Sequence, residues 1–218
     1  MRKSWMLVLV GMAALFLAGC GGGDSRLIST EWIDSDRTVD ADLTLDLVKG
    51  GPPLLALASV NGHVLAGVTV DFGGTSVADT RGFLYFPLNR IPFGASIRYA
   101  GVTIYLNQVT LWNSSLPTPF FLDLIDTDVF PPPVQATDYG ASYAATRSLD
   151  FYNTDQGKWV EIEVTSLMRE AQRLELPSFE VRIGFDEAAY IADINTTRGL
   201  IEIDDLSRRP FLTVEYEN

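Results

Sequence analysis

The stretch from Arg81 to Leu106 constrains the fold most strongly, because it contains two apolar runs separated by a short connection. The runs Gly82–Leu88 and Ser96–Leu106 are rich in aromatic and β-branched residues, which favour a half-buried strand. The connection contains Pro92 and Gly94, which are typical of a loop between two strands. We therefore expect this stretch to supply neighbouring strands in the core of a β-sheet protein.

Period-two alternation of apolar and polar residues recurs elsewhere in the chain and predicts further half-buried strands. Between residues 39 and 47 it puts Ala41 and Leu43 on the core side, with Asp40 and Asp42 on the solvent side. Asn61-Gly62 is typical of a tight hairpin turn, so the runs on either side of it are expected to pair with each other. Further strands are predicted at 109–112, 120–125, 159–164, 179–185, 200–203 and 211–216.

Helical signals are rare in this sequence. One short helix is predicted at Leu167–Leu174, between a Thr-Ser cap and a proline. About nine short strands and almost no helix are typical of two packed antiparallel sheets. The sequence therefore predicts an all-β fold, a jelly-roll-like antiparallel β-sandwich formed by residues 27–218 as a single domain. A change of apolar phase at Ala100-Gly101 predicts a bulge in one of its strands.

Residues 1–19 are typical of a bacterial lipoprotein signal peptide. Two basic residues precede an apolar run that is too short to span a membrane, and a small-residue cleavage site stands directly before Cys20, the only cysteine. Cys20 is therefore predicted to carry a lipid anchor, with residues 20–26 as a flexible tether. The alternative is a plain secretory signal with an unrelated cysteine. Because glycine rather than aspartate follows Cys20, the outer membrane or cell surface is favoured over the inner membrane.

The charge and the residue inventory argue against several classes of function. A formal net charge of −12 would repel nucleic acid and anionic lipid head groups, so neither is expected as a partner. His63 is the only histidine and follows a predicted turn, where we expect a polar surface residue rather than a catalytic base. One histidine and one lipidated cysteine are too few ligands for a zinc site. We therefore expect a protein that is not an enzyme and has no resident cofactor.

Carboxylates are plentiful, and they leave two interpretations open. A calcium ion takes six to eight oxygen ligands, and acidic loops could supply them. The preferred ligands of such a structural calcium are Asp126 and Asp128. A carboxyl pair for glycoside cleavage depends on a spatial separation that sequence does not give, so hydrolysis also stays open.

Three segments, in order, resemble the DNRLRE-domain family, which is related to carbohydrate-binding β-sandwiches of secreted proteins. They are Arg81–Leu106 with its Ile-Pro-Phe-Gly-Ala connection, Trp159–Leu167 with its Val-Thr-Ser-Leu entry into the helix, and Arg209–Tyr216. The resemblance implies a non-catalytic, jelly-roll-like module, with glycan binding in some members. It also implies that Trp159 packs in the core.

A sugar site requires aromatic rings in loops or on an exposed face, beside amide or carboxylate groups. Trp112 with Asn113 at a strand end, and Tyr139 and Tyr143 in the long loop 130–145, fit this description best. These four are the predicted ligand-binding residues, although each ring could instead pack within the fold. Trp32, like Trp159, is assigned to the core.

Together these observations favour a lipid-anchored, extracytoplasmic, non-catalytic module that binds a glycan or a cell surface. The alternative is a structural or assembly lipoprotein that engages a protein of the cell envelope or of a surface appendage. The expected partners are therefore the membrane, through Cys20, and either a polysaccharide or an envelope protein.

Overall fold

The structure, a computed structural model, describes residues 27–48, 51–52, 54–58, 63–70, 76–111, 117–125, 134–185, 199–204 and 206–217. These residues form twelve β-strands, one α-helix and two short 3₁₀ turns, Ala136–Gly140 and Asn153–Asp155. The strands are β1 Ile28–Asp34, β2 Ala41–Val48, β3 Leu54–Ala58, β4 His63–Val70, β5 Ser76–Pro87, β6 Ser96–Leu111, β7 Thr118–Ile125, β8 Tyr143–Phe151, β9 Lys158–Glu163, β10 Ser178–Phe185, β11 Gly199–Asp204 and β12 Phe211–Glu217. The helix, α1, is Thr165–Arg173. Within the ranges described, no helix is long and apolar enough to cross a membrane.

All the strands belong to one antiparallel sheet that curls around a large apolar cluster. The hydrogen-bonded path runs β1-β12-β6-β11-β4-β5-β10-β7-β8, and β2, β3 and β9 attach to it at the sides. Buried residues from both halves of this path meet in the main core. The all-β, sandwich-like fold with a short helix that the sequence predicts is confirmed.

The long strand β6 organises one half of the sheet. Both β12 and β9 pair with the segment 101–103 of β6, and both β11 and β9 pair with Leu106. A strand has only two edges, so β11 and β12 lie one after the other along one edge and β9 lies along the opposite edge. Strand β1 pairs with the outer edge of β12. The strands β1, β12, β6 and β9 therefore form a continuous four-stranded surface.

Two predictions about strand pairing need correction. The register of β6 and β12 shifts between Glu215 and Tyr216, opposite Arg98, so the bulge lies slightly before the predicted Ala100-Gly101. In the described part of the chain β3 pairs with β2, whereas β4 pairs with β5 and β11. The strands that flank Asn61-Gly62 therefore do not form the predicted hairpin with each other.

The prediction that Asp40 and Asp42 face solvent is wrong. Each residue is only 2% exposed. Tyr85 donates its backbone N–H to Asp40 Oδ1 at 2.8 Å, and Leu65 donates its backbone N–H to Asp42 Oδ2 at 3.0 Å. Strand β2 is thus covered on both faces at its start, and the buried carboxylates satisfy backbone donors of neighbouring strands.

Helix α1 covers part of the main core with one apolar side. Its buried apolar residues are Leu167, Met168 and Ala171. Thr165 Oγ1 accepts a hydrogen bond from the backbone N–H of Ala100 at 3.0 Å, which joins the start of the helix to β6. Glu175, with φ of 56°, ends the helix in the left-handed conformation.

A second, smaller apolar cluster lies under the segment 134–141. Its buried members are Ala41, Leu43, Phe83, Ile125 and Val134. Arg182 Nη1 donates to the carbonyls of Tyr139 at 3.0 Å and Ala141 at 2.9 Å, and Arg182 Nη2 lies 2.6 Å from Asp123 Oδ2. Arg81 Nη1 also donates to the Tyr139 carbonyl, at 2.8 Å. Two buried arginines therefore hold this segment on the sheet.

Candidate binding face

One side of the four-stranded surface is aromatic and open to solvent. Alternate residues of β1, β12, β6 and β9 point outward, and the antiparallel register aligns them in rows across the strands. We call this surface the aromatic face and define it by its five rings: Trp32, Tyr99, Tyr105, Trp159 and Phe211. Trp32 is 71% exposed and Trp159 is 48% exposed. Two exposed indoles that cluster with further aromatic rings make this face a candidate for an interaction site.

Three of the rings pack against one another. The centroids of Tyr105 and Trp159 are 5.4 Å apart with an interplanar angle of 74°, and those of Trp159 and Phe211 are 5.8 Å apart. The guanidinium carbon of Arg208 lies 4.0 Å from the centre of the Tyr105 ring. Such edge-on and cation–π contacts stabilise the orientation of the rings. The Trp159 ring is therefore held in place while about half of the residue stays exposed.

Trp32 and Trp159 border the same open groove, which has a volume of about 740 Å³. Its lining adds hydroxyl and carboxylate groups to the rings: Thr30, Thr103, Thr213, Glu161 and Glu215. The volume lies in the range of small-molecule sites, roughly 300–1,000 Å³. Ring faces beside hydrogen-bonding groups suit a ligand that combines apolar surfaces with hydroxyls.

Gly101 allows two groove residues to meet. A Cβ atom at this position would lie 2.6 Å from Tyr99 Oη and 2.7 Å from Glu161 Oε1. Because glycine has no Cβ atom, the Tyr99 hydroxyl can lie over Gly101 and donate a hydrogen bond to Glu161. This hydrogen bond, together with partial burial and the charges of Glu161, Glu163 and Glu215, raises the pKa of Tyr99 to about 12.

The expectation that Trp32 and Trp159 belong to the core is wrong. On β9 the buried residue is Ile162, at 4% exposure, while Trp159 shares its side of the strand with Glu161. On β1 the buried residue is Ile33, next to the exposed Trp32. One sequence signal could have located the aromatic face. Trp159 and Glu161 are two residues apart on one strand, so the tryptophan lies on the same side as a charged residue and not on the core side.

The predicted ligand-binding residues do not line this groove in the described part of the chain. The Tyr139 hydroxyl donates to Asp79, and the Arg81 guanidinium carbon lies 4.2 Å from the centre of the Tyr139 ring and covers it. Tyr143 is 54% exposed at the start of β8, at the opposite end of the sheet path from β1. The other predicted residues lie outside the described residues: Cys20, Trp112, Asn113, Asp126 and Asp128.

The described ranges contain no group of three or more acidic, histidine or cysteine side chains that could hold a metal ion. The calcium site at Asp126 and Asp128 stays a prediction, because both residues fall outside those ranges. His63 begins β4, where its Nδ1 atom lies 3.2 Å from Glu202 Oε1. This position is consistent with a polar residue near the surface.

Two buried carboxyls have strongly raised pKa values. Burial raises the pKa of Glu180 to about 7. The charge of Asp138 also raises this pKa, whereas the hydrogen bond from Ser178 lowers it. Burial raises the pKa of Asp42 to about 6, against the hydrogen bond from Leu65. The cavity beside Glu180 has a volume of only about 10 Å³, which is room for roughly one water molecule. These groups therefore bear on stability, and the aromatic face is the candidate site.

No family model matches the chain, and no curated protein matches it. The resemblance to the DNRLRE-domain family therefore stays a prediction.

Proposed function

We propose that this chain is a lipid-anchored, extracytoplasmic glycan-binding domain that holds a saccharide in the groove of the aromatic face. The observation that carries the proposal is the exposure of Trp32 and Trp159 at the border of one open groove. Pyranose rings present apolar C–H faces that pack on aromatic rings. Their hydroxyl edges exchange hydrogen bonds with side chains such as Thr103 and Glu161.

Binding rather than turnover is supported by the openness of this groove. Hydrolytic sites gain from shielding the reacting groups and one positioned water molecule from bulk solvent, and from a carboxyl whose pKa is raised into the working range. The groove lies on an open sheet surface. The carboxyls with strongly raised pKa values, Asp42 and Glu180, are buried elsewhere. We therefore infer a non-catalytic module.

The lipid anchor proposed at Cys20 would place the aromatic face near a membrane. The tether of residues 20–26 reaches at most about 25 Å when fully extended. Strand β1, which carries Trp32, begins at Ile28, directly after this tether. In this arrangement the domain holds a polysaccharide close to the bilayer on which it is anchored.

The substitutions Trp32→Ala and Trp159→Ala should each weaken glycan binding about tenfold, because each removes a ring worth roughly 1.4 kcal/mol of stacking. The measurement is affinity electrophoresis and titration calorimetry of the full-length protein in nonionic detergent, with a panel of hexasaccharides. Tyr143→Ala is the matched control, since Tyr143 is comparably exposed but lies on β8. Normal binding by both tryptophan variants, with loss in Trp112→Ala or Tyr143→Ala, would move the site away from the aromatic face to those residues.

A protein partner is the second candidate, and the position of β1 favours it. Strand β1 ends the sheet path, pairs only with β12 among the described strands, and exposes Ile28 and Trp32, with the exposed Leu27 directly before it. An edge strand of this kind can accept a strand from another chain. A stoichiometric partner captured from envelope extract, together with no binding to any glycan, would replace the glycan proposal with this one.

A further inference from the structure

We propose that the groove of the aromatic face selects glycans that carry protonated amino groups and excludes glycans that carry carboxylate or sulfate groups. This inference rests on the proposed function and names the class of saccharide that the site takes. Its basis is the distribution of charge around the groove.

The groove is lined by carboxylates and, in the described part of the chain, by no basic side chain. Glu161 and Glu215 belong to the lining. Glu163 points to the same side of β9 as Glu161, two residues further along the strand. A carboxylate or sulfate on a ligand would enter this groove without a cation to pair with, whereas an ammonium group would meet two carboxylates.

The arginines around the aromatic face do not offset this charge, because each has an acidic partner of its own. The pairs are Arg208 with Asp204 at 3.2 Å, Arg209 with Asp34 at 3.8 Å, and Arg147 with Glu163. The guanidinium of Arg208 also lies over the Tyr105 ring. These groups are therefore not available to hold an anionic ligand without breaking existing contacts.

The raised pKa of Tyr99 indicates that the electrostatic potential at its hydroxyl, on the floor of the groove, is negative. The hydrogen bond to Glu161 is the largest cause of its raised pKa, and the charges of Glu161, Glu163 and Glu215 act in the same direction. Three carboxylates thus act on the Tyr99 hydroxyl, and the charge of one of them, Glu163, is paired with Arg147.

The aromatic rings add to the preference for cations. Indole rings attract an ammonium group that lies over their faces, and the exposed faces of Trp32 and Trp159 border the groove that Glu161 and Glu215 line. A sugar with a free amino group can therefore stack on a ring and place its charge beside a carboxylate. An N-acetylated sugar of the same shape keeps the stacking and loses the charge.

The test measures the affinity of the full-length protein, in nonionic detergent at low salt, for four hexasaccharides. These are the hexamers of glucosamine, N-acetylglucosamine, glucose and galacturonate. We expect the glucosamine hexamer to bind roughly 2- to 30-fold more tightly than the N-acetylated hexamer, the range of two exposed ion pairs. We expect the galacturonate hexamer to show no binding. The preference for the free amine should shrink at 0.5 M salt, because screening then acts over roughly 4 Å.

The double substitution Glu161→Gln/Glu215→Gln should bring the ratio of glucosamine to N-acetylglucosamine affinity close to one, because it removes the two groove carboxylates that an ammonium group would meet. The control is Asp150→Asn/Glu175→Gln, which changes the net charge equally at exposed positions on β8 and after α1. An equal loss of preference in this control, or tight binding of galacturonate, would overturn the inference.

The remaining outcomes separate this inference from the proposed function. Equal binding of the amino, N-acetylated and neutral hexamers, all lost in Trp32→Ala, would overturn the charge selection and leave the glycan site standing. Absence of binding to all four hexamers would overturn both.

Discussion

The substitution Arg182→Met is expected to lower the free energy of unfolding by about 3–5 kcal/mol. Arg182 and Asp123 are both buried and form an ion pair at 2.6 Å. Without the guanidinium, Asp123 keeps a buried charge with no cation beside it. The carbonyls of Tyr139 and Ala141 lose a donor at the same time. The segment 134–141 would therefore lose a main attachment to the sheet.

Urea unfolding followed by circular dichroism measures this effect. Arg173→Met is the control, because it breaks an exposed ion pair with Glu170 and should leave the stability nearly unchanged. The double substitution Arg182→Met/Asp123→Leu should recover part of the loss, since apolar residues often replace a buried ion pair at little cost. Equal stability of Arg182→Met and the wild type would contradict the assigned role of this pair.

The substitution Glu180→Gln should stabilise the protein at pH 8 by up to about 3 kcal/mol and change little near pH 4. Burial raises the pKa of Glu180 from 4.5 to about 7, and its Oε2 atom has no hydrogen-bond partner among the described residues. A carboxyl whose pKa is higher in the folded state than in the unfolded state adds its full stabilisation only at pH values below its pKa in the unfolded state. This contribution is lost as the pH rises through the folded pKa. A shift of this size corresponds to about 3 kcal/mol.

Unfolding free energies at several pH values between 4 and 8 test this expectation. Glutamine keeps an oxygen that can accept the hydrogen bond from Ser178 Oγ, so the fold is retained. Glu175→Gln is the control, because Glu175 is exposed at the end of α1. A difference between Glu180→Gln and the wild type that stays constant from pH 4 to pH 8 would show that ionisation of Glu180 is not the cause.

Several central strands could be predicted from the sequence, whereas the two strands that end the sheet path could not. The predicted strands at 82–88, 179–185 and 211–216 correspond to parts of β5, β10 and β12, because alternation and β-branched content are local properties. Strands β1 and β8 were missed. Both end the sheet path and bury few of their side chains, so their sequences carry little apolar alternation. An edge strand is defined by its neighbour rather than by its own composition.

The aromatic face was missed because alternation assigns residues to the two faces of a strand but does not say which face is covered. Trp159 and Glu161 share a face by parity, and burial of that face depends on what packs against it. The same limit applies to Asp40 and Asp42, whose backbone partners lie 45 and 23 residues away in the chain. Contacts of that separation are decided by the topology of the sheet and leave no local signature.

With the anchoring at Cys20 and the saccharide binding proposed above, a pull on a saccharide held at Trp159 would reach the anchor through the β1–β12 ladder, because β1 is the strand that follows the proposed tether. This ladder aligns Ile28–Asp34 with Phe211–Glu217 along its whole length. Traction parallel to the strands loads all of these hydrogen bonds at once, whereas traction across them would open the ladder one pair at a time. A saccharide in contact with both indoles would fasten β1 to β9 as well. The domain with a bound saccharide should therefore resist mechanical unfolding better than the domain without one.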